Sequence, residues 1–124
     1  MVADLMDVRD KVLNEIWVQC QEEFVEVWAV LWSVRYHLCG GDYPIDVFAR
    51  TDPDQVRQLA QDVIREVLER GARAGFYADA PDAYPPPLWD HPPDVAFQRL
   101  EEEWDRMERE PSMNELAGFS TLKL

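Results

Sequence analysis

Cys20, His37 and Cys39 are the residues whose types first suggest chemistry. Thiolate and imidazole are the usual ligands of zinc, and two cysteines can oxidise to a disulfide. Their spacing favours neither outcome. A helix between them would hold the two cysteines ~28 Å apart at 1.5 Å per residue, whereas a disulfide needs Cα atoms within about 7 Å. A zinc site would also want a fourth ligand and usually a Cys-x-x-Cys pair. The expectation is a buried thiol at Cys20, an incidental Cys39 and no metal. Nucleophilic catalysis has little to draw on. None of Ser33, Ser112 and Ser120 sits in a Gly-x-Ser-x-Gly context, and His91 is held between Asp90 and two prolines. Gly40-Gly41 lacks the lysine and spacing of a phosphate loop. Asp52-x-Asp54 and Glu101-Glu102-Glu103 offer oxygens to a hard cation, but no 12-residue calcium pattern surrounds them. We expect no enzyme, no catalytic residue and no cofactor. A deep pocket with His37 or His91 beside a carboxylate would reopen a hydrolase reading.

Two aromatic features can be read either way. Trp28 and Trp32 stand one helical turn apart, with Trp17 near the same stripe. Aromatics at helical spacing are usually core. Five Trp, four Tyr and five Phe are nevertheless a heavy load for 124 residues, and such residues are enriched at the centres of interfaces. Pro85-Pro86-Pro87-Leu88-Trp89 could be a polyproline ligand. The simpler expectation is a loop pinned by Tyr84 and Trp89.

The charge is more decisive. Twelve basic and 25 acidic residues leave −13. Residues 1–34 and residues 90–110 each carry −5, while residues 35–73 carry −1. A strongly acidic chain is a poor match for a phosphate backbone, so nucleic acid is not the favoured partner. Surplus carboxylates instead make a field that speeds encounter with a basic protein. Glu101, Glu102, Glu103, Asp105 and Glu108 are the expected contact residues, with Glu22, Glu23 and Glu26 as a second group. No apolar run approaches the ~20 residues of a membrane span, and the first residues are acidic where a secretion signal would be basic. The expected location is cytoplasmic.

The elements that must carry these residues follow from period and punctuation. Apolar positions from Leu13 to Leu38 recur at three and four residues with no Pro or Gly between them, which predicts helix over residues 7–38: one long helix or, because that length would be unusual, two meeting near Gln21, with Gly40-Gly41 as the C-cap. In a loop from Gly40 to Thr51, Tyr43, Pro44 and Phe48 are the expected anchors. Asp52-Pro53-Asp54-Gln55 opens a helix whose apolar face is Val56, Leu59, Ala60, Val63, Ile64, Val67 and Leu68. Residues 73–78 predict a strand, with 84–89 as a proline-rich edge arm of a hairpin. A last helix runs from Asp90-His91-Pro92-Pro93 to about Glu110, and Pro111 breaks it. Ser112-Met113-Asn114-Glu115 reads as a capping box, and residues 118–122 could pair as a final strand. The expected class is mainly α (α+β): one domain, residues 1–124, of four to five helices with a small β-hairpin. Its outline is winged-helix-like by analogy.

Two stretches carry a resemblance. Asp62-Val63-Ile64-Arg65-Glu66-Val67-Leu68-Glu69-Arg70-Gly71 with Ala74-Gly75-Phe76 is one. Glu103-Trp104-Asp105-Arg106-Met107-Glu108-Arg109-Glu110-Pro111 with Asn114-Glu115-Leu116 is the other. With the opening helices they resemble short acidic actinobacterial proteins of uncharacterised function. The resemblance implies a domain of this size and assigns no site residues.

Three readings of function follow. The first is a non-enzymatic acidic protein-interaction module, in its most concrete form an immunity or inhibitor protein that neutralises a basic partner. The second is a winged-helix-like regulator, which would need a free basic patch around Arg57, Arg70 and Arg73. Against it, Arg65 already has Asp62 and Glu69 at pairing distance along its helix. The third is a small hydrolase or ligand-binding domain, and the outline also fits a structural subunit or a homodimer formed through the aromatic stripe.

Overall fold

The computed structural model describes residues 4–122. The element order is α1 (Leu5–Glu22), β1 (Val25–Glu26), α2 (Val27–Leu38), α3 (Val47–Arg50), α4 (Pro53–Glu69), β2 (Arg73–Phe76), α5 (Pro93–Asp105) and β3 (Ala117–Ser120). The class is mainly helical with a small antiparallel sheet.

Asp4 starts α1 by accepting from Met6 N at 3.0 Å, which satisfies one of the helix's unpaired donors. The first apolar run is two helices rather than one, with the break at residues 23–26. Its cause is β3. Cys20 O, at the end of α1, accepts from Thr121 N at 2.9 Å and Ser120 Oγ at 3.2 Å. The chain then leaves the helix so that Val25 and Glu26 can pair with Phe119 and Gly118. α4 has the expected apolar face, fully buried, and Asp52 caps it through Asp54 N at 3.0 Å. α4 is the hub of the helical layer: α1, α2 and α5 all pack on it.

The sheet differs from the expected hairpin. Its order is β1-β3-β2, so the last strand of the chain lies in the middle. Of the expected hairpin, one bridge remains, Gly75 to Leu88. The full partner of β2 is β3, with Arg73 opposite Ser120 and Phe76 opposite Ala117. Prolines 85–87 cannot donate ladder hydrogen bonds, so the proline arm is a poor strand. α5 also ends earlier than expected, at Asp105 rather than about Glu110. The chain turns there, and Glu110 meets the guanidinium of Arg35, which is only 1% exposed. Glu115 reaches back to Ser112 N at 2.7 Å, the expected capping contact, but no helix follows it.

Gly118 lies where β3 passes under Phe24. A Cβ there would collide with the Phe24 ring and stand 2.8 Å from Val25 O. Gly118→Ala should therefore destabilise the fold by about 1–3 kcal/mol, as overpacked cores do. Urea unfolding measures it, and an unchanged midpoint would mean that Phe24 can move aside freely.

Candidate interaction surface

The eight expected contact acids divide into three kinds. Glu26 is a correction: it is buried at 8% exposure and faces inward. Its carboxylate accepts from Trp28 Nε1 at 2.9 Å, Tyr77 Oη at 3.0 Å and Asn114 N at 2.6 Å. Burial, then the hydrogen bond and charge of Glu26, push the Tyr77 hydroxyl well above the ordinary phenol range. Glu26 is thus a knot joining β1, the end of β2 and the 112–116 turn, not a surface contact. Two further acids are met by internal arginines, Glu103 by Arg99 at 2.5 Å and Asp105 by Arg57 at 2.5 Å. The remaining five are Glu22 and Glu23 at the end of α1, and Glu101, Glu102 and Glu108 on or just beyond α5. Among the described residues none of these five has an ion-pair partner, and all but the half-buried Glu101 are exposed.

One pattern recurs among the arginines. Arg99 lies 4.0 Å from the Phe76 ring centre and 4.7 Å from Trp89, and donates to both oxygens of Asp79 at 2.9 and 2.7 Å. Arg57 lies 4.6 Å from Trp104 beside Asp105. Arg35 lies 5.1 Å from the Trp32 ring centre and 4.8 Å from that of Phe48, and pairs with Glu110. In each case a guanidinium lies over one or two aromatic rings and meets a carboxylate, the two contacts its planar fork suits best. The arginines of the expected basic patch are likewise engaged: Arg57 with Asp105, Arg70 with Glu66 at 3.3 Å, and Arg73 with Leu122 O at 3.3 Å. Arg65 stacks on Phe97 of α5 at 4.4 Å.

Two of these carboxylates set an acid limit on the fold. Arg109 holds Glu115 down to about 2, against the opposing effect of burial and with help from Ser112 N. Arg99 holds Asp79 below the ordinary carboxylate range. Both pKa values are depressed by folding, so their stabilisation is complete above about pH 4.5 and is lost as pH falls towards 2. Thermal melts at pH 6 and pH 2.5 should show a lower midpoint in acid. Glu115→Gln should remove part of that difference; an identical acid shift in the variant would contradict this assignment.

The proline segment is a packed loop. Trp89 stacks edge-on against Phe76 at 5.5 Å, and its N–H donates to Ala74 O at 2.6 Å. Pro86 is buried, while Tyr84 is 66% exposed with its ring edge-on to Phe24. Both cysteines are free thiols, and burial pushes Cys20 up to about 11. Among the described residues no cluster of three metal-ligating side chains exists. No helix of the described residues is long and apolar enough to cross a membrane.

Trp28, Trp32 and Tyr36, at successive turns of α2, are half-buried and not core. They line a groove of about 400 Å³ with Tyr43, Ser33, Gln19 and Glu15. Tyr43 meets Trp32 edge-on at 5.9 Å and Tyr36 at 4.9 Å, while Phe48 meets Trp32 at 5.4 Å. The loop anchors are therefore outward-lying: Tyr43 and Phe48 are 54% and 63% exposed, with Ile45 fully exposed between them. Glu15 is the one charged residue in the lining. It accepts from Ser33 Oγ, and His37 Nε2 lies 3.5 Å from its other oxygen without forming a hydrogen bond. His37 beside a carboxylate is the arrangement that would reopen a hydrolase reading, but its order is wrong for one. The carboxylate stands between serine and imidazole, where a triad places the imidazole between serine and carboxylate. Burial, and then the charge of Glu15, raise the Tyr43 hydroxyl above its ordinary value. Glu15 lies on α1 and shows no signal of its own in the sequence; the Trp28–Trp32–Tyr36 stripe does. A scan against protein-family models matches none, and comparisons with curated proteins and with solved structures return no match.

Proposed function

We propose that this chain is a non-enzymatic acidic module that binds a basic protein, in the manner of an immunity or inhibitor protein. The carrying observation is that five of the eight expected contact acids, Glu22, Glu23, Glu101, Glu102 and Glu108, have no ion-pair partner among the described residues and lie on a chain of net charge −13. Two free thiols suit a reducing compartment such as the cytoplasm.

The test is ionic strength. With the partner isolated from the native host, association should slow at least about tenfold between ~20 and ~300 mM salt, because exposed charges are screened beyond the Debye length. An association rate indifferent to salt would exclude an electrostatic interface.

A further inference from the structure

We infer that the groove between α1, α2 and the loop after α2 receives an arginine side chain from a protein partner. This deepens the reading as an interaction module and rests on it. The argument is the molecule's own repetition. Arg35, Arg57 and Arg99 each lie over at least one aromatic ring and meet a carboxylate. The groove offers the same two elements, with Trp28, Trp32, Tyr36 and Tyr43 as walls and Glu15 as the carboxylate, and its lining includes no arginine or lysine.

The walls are held in place. Trp28 is fixed by its indole N–H to Glu26, and Tyr43 by its hydroxyl to Trp32 O at 3.4 Å. Glu15 is oriented by Ser33, which leaves its other oxygen to His37 and the groove. Aromatic faces attract a cation, most strongly where it is partly withdrawn from water, and a guanidinium also stacks flat on them. The carboxylate adds a charge-assisted hydrogen bond. A neutral or acidic side chain gains neither contribution.

The probe is acetyl-Gly-Arg-Gly-amide, compared with the same peptide carrying citrulline, a neutral near-isostere. Binding is read at pH 8 from the indole N–H signals of Trp28 and Trp32. The arginine peptide should shift both signals, and the citrulline peptide should not. Glu15→Gln, which keeps an acceptor for Ser33, should weaken binding about tenfold, and Tyr43→Ala in the exposed loop should weaken it too. Equal binding of citrulline, indifference to Glu15→Gln, or unmoved indole signals would each overturn the inference. The salt test of the α1 and α5 acids does not depend on these outcomes, so the two readings fail separately.

Discussion

Glu26→Ala is expected to cost about 4 kcal/mol of folding stability. Three donors converge on this carboxylate, from Trp28, Tyr77 and Asn114. Each buried donor left unpaired costs roughly 1–3 kcal/mol, so three of them cost about 3–9 kcal/mol, and water reaching the site keeps the loss toward the lower part of that range. Against a total of roughly 5–15 kcal/mol for a domain, such a loss would leave the variant marginal. Glu26→Gln should fall between wild type and alanine, because one amide NH₂ would face donors instead of accepting from them. Urea unfolding followed by circular dichroism checks this. A loss below about 1 kcal/mol would mean that Glu26 behaves as a surface acid after all.

Deletion of residues 117–124 should abolish cooperative folding. The deleted segment includes β3, the middle strand, which pairs with both β1 and β2. Without it neither outer strand has a strand partner. The fully buried Phe119 side chain is lost as well, and loss of a buried Phe alone costs about 3–5 kcal/mol. The partners of Cys20 O at the end of α1 also disappear. The truncated chain should melt without a sigmoidal transition. A cooperative melt within a few degrees of wild type would show that the helices around α4 fold without the sheet.

How much of this was legible depended on the range of the interactions. α4 could be read in full, because its cap and apolar face are local and strictly periodic. The break between α1 and α2 was favoured only by the length of the run, because the apolar period passes through it without a Pro or Gly. The sheet was not, because β2 pairs with a strand more than 40 residues later and local period carries no pairing information. β1 is two residues long, too short for any alternation. Glu26 shows what its neighbours could have told. Unlike Glu22 and Glu23, it lies in an apolar run, Phe24-Val25-Glu26-Val27, and all four of these residues are buried. Glu103 and Asp105 gave no such sign. Arg99 lies four residues before Glu103, a legible pair, but Arg57 reaches Asp105 from another helix.

The functional reading rests on carboxylates left without internal partners, and charge reversal at three of them tests it most directly. A variant with Glu101, Glu102 and Glu108 changed to lysine spares Glu26, Glu103 and Asp105, so its melting curve should stay close to wild type. Its association rate with the native partner at low salt should fall at least about tenfold, with little change in dissociation, as expected when steering is removed. An unchanged association rate in a folded variant would mean that these acids only keep the protein in solution.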